Sequence, residues 1–430
     1  MNYGLVPLYP VVMRYFYLAM VLLLSLSCSG GKDRVILGDE RLGEYIPLLE
    51  GKRVAIFSNQ TGIVGDVVDG EPSRIEVTDQ TASVPFHAIG EAAFGPHLLD
   101  VLLEKGIDVT AIFSPEHGFR GTADAGEHVS SSVDEKTGVP ILSLYEGGKG
   151  RPSDESMSKF DVLVVDIQDV GLRYYTYYVT MMRLMNACSL FDKEVVILDR
   201  PNPNGFYVDG PILKDDLRSG VGALPIPIVH GMTLGELALM MNGENWLESG
   251  KPCDLTVIPC ENYTHSTKYS LILPPSPNLK DMRAVYLYSS ICFFEGTEIS
   301  LGRGTDHPFE MYGHPDMTGY DFSFTPRSVP GAKNPPLLDR LCHGVDLSSK
   351  PLEEIFSEKI NLGYVIDAYS NLGIGEDFFL GNGFFNLLTG NRKVKEDIIA
   401  GKAASEISSW WREEAEEFRE KRKPYLLYPE

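Results

Sequence analysis

Between residues 40 and 215, short runs of Val, Ile, Leu and Phe recur along the chain, and each ends abruptly in polar or turn residues. They are "RVAIFSNQTG" (53–62), "DVTAIFSPEHG" (108–118), "VPILSLY" (139–145), "DVLVVDIQDVG" (161–171) and "EVVILDRPNP" (194–203). Two stretches between them, "HLLDVLLEKG" (97–106) and "YYVTMMRLMNACSLF" (177–191), space their apolar residues as helices do, and the first closes on Gly106. Strands that are apolar throughout have both faces covered, and helices between them make a parallel sheet the natural arrangement. The pattern predicts an α/β fold in which a Rossmann-like, doubly wound parallel sheet occupies about 40–215.

The remainder, 216–430, is less regular and reads as a smaller α+β domain that completes a cleft. "HGMTLGELALMMNGENWL" (230–247) predicts a helix with Thr233 as N-cap and Glu236 three residues on, a capping box. "DLTVIPC" (254–260) reads as a strand, and "PPSPNLK" (274–280) is too rich in proline for regular structure. The charged run "EISSWWREEAEEFREKRK" (406–423) predicts a closing helix with a solvated face.

Composition narrows the function. A formal net charge of −22 over 430 residues argues against a nucleic-acid partner, because phosphate binding needs a concentrated basic footprint. The segment "RYFYLAMVLLLSLSC" (14–28) has a basic start, a short apolar core and a small residue before cysteine. It is short for a bilayer span and reads as a leader over 1–28. Its end resembles a bacterial lipoprotein signal, with Cys28 as the lipidated residue; the competing reading is an uncleaved membrane anchor. The twelve residues before Met13 add nothing a leader needs, which points to Met13 as the start. The protein is therefore expected to be exported, periplasmic or at the cell surface, and held at the membrane by a lipid only. Cys188 and Cys292 lie in apolar surroundings and read as buried thiols, while Cys253 and Cys260 are close enough in sequence to bridge.

In open parallel sheets, ligands bind beyond the carboxyl ends of the strands, where loops converge. The strand-ending clusters Ser58-Asn59-Gln60, Glu116-His117, Asp166-Gln168-Asp169 and Asp199-Arg200-Asn202 would then share one rim. Glu116 sits just beyond an apolar run with His117 and Arg120 beside it, so it is placed for acid–base work; the competing role is a helix cap or ion pair. "DIQDVGLRYYTYY" adds Gln168, Asp169, Arg173 and tyrosines including Tyr175, a composition suited to sugar surfaces, although some of these tyrosines must pack on the sheet. The first strand lacks G-x-G-x-x-G, and neither a P-loop nor a G-x-S-x-G elbow occurs, so no dinucleotide, nucleotide or serine nucleophile is implied.

A second constellation, "FFEGTEISLGRGTDHPFEMYGHP" (293–315), holds Glu295, Glu298, Arg303, Asp306, His307 and Glu310. A metal reading of Asp306, His307 and Glu310 lacks zinc-site spacing, so no metal is expected. A pair of carboxylates, one from each domain, fits glycoside hydrolysis.

Taken in order, "SNQTG", "SPEHGFRG", "DIQDVGLRYYTY", "LDRPNP", "HGMTLGELA", "PPSPNL" and "FEGTEISLGRGTDHPFE" resemble the DUF1343 family of NamZ-type exo-β-N-acetylmuramidases, over about 40–430. The resemblance implies a Rossmann-like domain, a smaller C-terminal domain and a cleft between them. It also implies release of terminal N-acetylmuramic acid from the non-reducing end of peptidoglycan fragments, without metal or organic cofactor. Glu116 is the motif glutamate it marks as catalytic, and Asp169 and Glu295 are the candidates for the second group. Asn59, His117, Arg120, Gln168, Arg173, Tyr175, Glu298 and Arg303 are the candidate substrate contacts. Arg303, Arg173 and Arg120 are the cations available for the lactyl carboxylate of muramic acid; for Arg303 the competing role is to brace its loop against Asp306 or Glu310. The rival from another class is a lipoprotein that binds muropeptides or sugars without cleaving them.

Overall fold

The first apolar run forms strand β1 (Arg53–Ser58), at the centre of a seven-stranded sheet. Six strands follow in the chain: β2 (Asp108–Phe113), β3 (Ser132–Val133), β4 (Pro140–Leu142), β5 (Val162–Asp166), β6 (Glu194–Leu198) and β7 (Asp254–Ile258). Their spatial order is β3-β4-β2-β1-β5-β6-β7, and every pair is parallel except β3 with β4. The architecture comes from a computed structural model that describes residues 34–72, 77–87, 92–115, 119, 132–144 and 151–430. Residues 36–430 form one compact unit; of the separate N-terminal unit only Arg34 and Val35 are described.

The chain moves outward from β1 through β2 to β4, then returns to lay β5 on the other flank of β1. This reversal leaves a switch point between the carboxyl ends of β1 and β5, where Ser58 pairs with Asp166. One face of the sheet, including Val54, Ile56, Ile112, Val164 and Leu198, forms a single buried cluster with helices α1 (Leu42–Leu49) and α2 (Leu98–Glu104). Helices α3 (Tyr177–Leu190) and α4 (Leu234–Gly243) take the opposite side, where Gly235 lies against Val257. Burying both faces explains why the strands are apolar throughout.

The sheet reaches further along the chain than the expected domain limit at 215. β7 pairs with β6 from Glu194↔Asp254 to Leu198↔Ile258. It is an edge strand, and its exposed Asp254 and Thr256 hide its membership from sequence, because pattern shows a strand but not its partner. Beyond it, α5 (Met282–Ile291) leads to a three-stranded antiparallel sheet of β8 (Met311–His314), β9 (Phe322–Phe324) and β10 (Cys342–Asp346), with β10 in the middle. Short helices follow, and the chain closes on α6 (Ala404–Arg422). Thr233 and Glu236 make the predicted capping box at the start of α4. All five described cysteines are buried and free, so Cys253 and Cys260 are not bridged.

Candidate active site

At the carboxyl edge of the sheet, the loops after β1, β5 and β6 commit most of their polar residues to one another. After β1, Asn59 is fully buried. Its Oδ1 accepts from the Thr61 N–H at 2.9 Å and the Thr61 hydroxyl at 2.6 Å, and its amide donates to the Tyr177 hydroxyl. After β5, the Gln168 N–H donates to the Thr61 hydroxyl at 3.0 Å, which ties the two loops across the switch point. The Gln168 side chain donates to the Asp169 and Pro201 carbonyls, both at 2.8 Å. Asn59 and Gln168, expected as substrate contacts, thus shape the rim.

Asp169 is only half satisfied, as are Asp166 and Gln168, each with one buried oxygen left without a partner. One carboxylate oxygen of Asp169 accepts from the Gly171 N–H at 2.7 Å, and the other is buried with no partner. Burial pushes this carboxyl up to about 7, against the opposing pull of the backbone N–H groups of Gly171, Val170 and Tyr178. Gly171 lies at φ +75°, and a Cβ there would stand 2.1 Å from Asn202, so the turn that aims its N–H at Asp169 requires glycine.

After β6, Arg200 and Asp199 are buried connectors. Arg200 meets three carboxylates: Asp166 at 2.6 Å, Asp39 at 2.6 Å and Asp66 at 2.9 Å. Burial opposes its charge, but these three carboxylates together hold the guanidinium ionised. Burial in turn raises the Asp39 and Asp66 carboxyls despite Arg200. Asp199 accepts from the Thr233 hydroxyl, the Tyr428 hydroxyl and the Gly235 N–H, so it anchors both α4 and the C-terminal tail.

Arg173 is not available to a substrate. It is fully buried and donates to four backbone carbonyls, those of Pro211, Ile226, Leu388 and Thr389, at 2.7–3.1 Å. Burial draws its pKa down to about 10. Tyr175 donates its hydroxyl to the Pro275 carbonyl at 2.6 Å, and Tyr177 reaches the same oxygen. The proline-rich segment is thereby pinned over the rim.

A chain of rings links this rim to the C-terminal constellation. Tyr175 lies edge-on to Tyr288, Tyr288 to Phe309, and the Arg303 guanidinium sits 5.0 Å from the Phe309 ring centre. Arg303 donates through Nε and Nη2 to one oxygen of Glu295, the Nε contact being 3.0 Å. The loop is therefore braced by Glu295, not by Asp306 or Glu310. The Glu295 charge also acts on the Tyr174 and Tyr288 phenols, both raised chiefly by burial. The structure thus brings Glu295 and Arg303 towards Tyr175, but not Glu298, which is exposed and lines a separate groove of about 610 Å³ with His314, Glu376, Asp377 and Lys395. Glu116, His117 and Arg120 lie outside the described residues, as do Cys28 and the leader. β2 delivers Ser114 and Pro115, both buried, to the same edge as Asp169.

Sequence models of the N-terminal and C-terminal domains of exo-β-N-acetylmuramidase NamZ match residues 87–283 and 286–428. The peptidoglycan β-N-acetylmuramidase NamZ of Bacillus subtilis is 36% identical over 424 residues, 94% of each chain. The chain belongs to the NamZ family. Two crystal structures of DUF1343 family proteins from Bacteroides fragilis share its fold. One is 56% identical, with TM-score 0.81, and covers 93% of this chain and 100% of its own. The other is 27% identical, with TM-score 0.69, over 92% and 99%. The NamZ domain limit near 284 falls after β7, in agreement with the extent of the sheet and about seventy residues beyond the limit at 215.

Proposed function

We propose that this NamZ-family chain is an exo-acting glycoside hydrolase that releases terminal N-acetylmuramic acid from the non-reducing end of peptidoglycan fragments during cell-wall turnover. The observation that carries this is the match of both halves of the chain to the NamZ domains, with a full-length relative named for that activity.

Glycosidic cleavage needs a proton for the leaving oxygen and a negative group, or the substrate's own acetamido oxygen, at the developing oxocarbenium centre. Glu116, next in the chain after Pro115, is the proposed proton donor. Asp169 is the proposed orienting carboxylate. One of its oxygens lacks a hydrogen-bond partner, and the acetamido N–H of the sugar is a donor of the right kind. That bond would turn the acetamido oxygen towards the anomeric carbon. Glu295, already paired with Arg303, is the less suited of the two acids, because it would have to release its cation to act alone. Export and lipid attachment at Cys28 complete the reading, supported by the leader composition.

A matched pair of chromogenic β-glycosides, N-acetylmuramic acid and N-acetylglucosamine, tests the function. Cleavage of the first and neglect of the second is expected, and binding without cleavage of either would favour the lipoprotein that only holds muropeptides. Glu116→Gln should lower kcat by roughly two to four orders of magnitude with ligand binding retained. Near-full turnover by that variant would pass the role to Asp169 or Glu295.

A further inference from the structure

Away from the rim, two buried carboxyl groups face each other; burial raises both, and the Arg283 charge only partly opposes that rise at each. Asp281 is 2% exposed and caps α5, with one oxygen accepting from the Ala284 N–H at 2.8 Å. Glu310 is fully buried. One of its oxygens lies 3.2 Å from His307 Nδ1, and the other has no hydrogen-bond donor. One ligand atom from each of Asp281, His307 and Glu310 falls within a sphere where all three are less than 4.8 Å apart. The nearest basic side chains in sequence are engaged elsewhere. Arg283 donates to the Ser83 hydroxyl and to the Lys350 and Asp79 carbonyls, and Lys280 donates to the Thr305 carbonyl.

Two carboxylates and an imidazole, converging with an orphaned buried oxygen, form a donor set that a divalent ion satisfies and a lone imidazole does not. We propose that Asp281, His307 and Glu310 bind one divalent transition-metal ion of the Zn²⁺ or Mn²⁺ type, which ties the start of α5 to the loop that carries Arg303. The imidazole selects a transition ion over Mg²⁺ or Ca²⁺, which prefer oxygen alone. Tetrahedral coordination with bonds of about 2.1 Å places ligand atoms roughly 3.4 Å apart, so atoms now within 4.8 Å of one another must draw together on binding. His307 is 47% exposed in its side chain, which supplies both that adjustment and a path in from solvent. Spacing within one segment does not reach this set: Asp306 is exposed and outside the cluster, and the third donor comes from Asp281. The ion would also steady Phe309, which lies between two ligands and packs on Tyr288 and beneath Arg303.

Isothermal titration of the purified protein with Zn²⁺, Mn²⁺ and Mg²⁺ tests the proposal independently of any glycosidase assay. One transition ion per chain is expected, with Mg²⁺ much weaker. Glu310→Gln and His307→Ala should each weaken binding about tenfold or more, since even residues that only support a metal ligand cost 10–100-fold. Asp306→Ala should leave affinity unchanged. His307 is half in solvent, so its variant keeps the test sound if Glu310→Gln fails to fold. The proposal is overturned if the wild type binds neither transition ion up to about 1 mM. It is overturned equally if Mg²⁺ binds as tightly, or if His307→Ala or a folded Glu310→Gln binds as the wild type does.

Discussion

At the scale of single residues, the site is governed by which polar atoms are satisfied. Asp169 is buried with one oxygen bonded and one bare, and its carboxyl titrates near 7 in the fold but near 3.9 in an unfolded chain. The folded state therefore holds this proton more tightly. Its contribution favours folding below about pH 4 and is lost as pH rises towards 7. Asp169→Asn removes that dependence, so the urea midpoint of the wild type should fall relative to the variant between these limits; parallel curves would refute the raised value. Arg303 supports a different test. It bonds Glu295 through Nε and Nη2, neither bond using Nη1. If it also receives the lactyl carboxylate, a charge-assisted bond of about 1.5–3 kcal/mol is at stake. Arg303→Ala should then reduce the preference for muramic acid glycosides over glucosamine analogues roughly ten- to a hundredfold. Equal losses on both substrates would leave Arg303 only a brace for Glu295.

At the scale of elements, Arg173 shows how far a side chain's role can lie from its local sequence. It joins the loop after β5 to Pro211, Ile226 and the Leu388–Thr389 turn, and Gly390 at φ +71° comes so close that a Cβ would stand 2.3 Å from its Nη2. Arg173→Met would bury those carbonyls without a donor. An unfolding free energy lower by roughly 3–5 kcal/mol is expected in chemical denaturation; a loss below about 1 kcal/mol would reduce the clasp to an ordinary surface contact. Beside tyrosines in "DVGLRYYTYY", the same arginine reads as a substrate ligand, because its four acceptors are 38 to 216 residues away. The sheet was legible for the opposite reason. Its strands are buried on both faces, so each run carries its own signal, as do the capping box of α4 and the glycine stop after α2. β3, two residues long, leaves no trace in the pattern, and β7 is legible as a strand but not as a member of this sheet, because an edge strand pairs on one side and is half exposed. Within the site, acids at strand ends were legible as a rim, but the pairing of Asp281 with Glu310 was not.

At the scale of the whole molecule, charge and the leader bear on where the protein works. A net charge of −22 gives no attraction to an anionic bilayer, whose surface favours basic segments. Among the described residues, no helix is long and apolar enough to cross a membrane. For membrane retention the sequence offers two apolar anchors, a lipid on Cys28 or the uncleaved apolar core before it. The two differ in what a single atom change does. Cys28→Ala removes the thiol that would carry the lipid and leaves the apolar core of residues 15–26 intact. With a lipid anchor, the wild type should incorporate labelled fatty acid and begin at Cys28 by mass, while the Cys28→Ala variant takes up no label. With an uncleaved core as the anchor, neither protein takes up the label, the wild type keeps its leader, and the lipid reading falls.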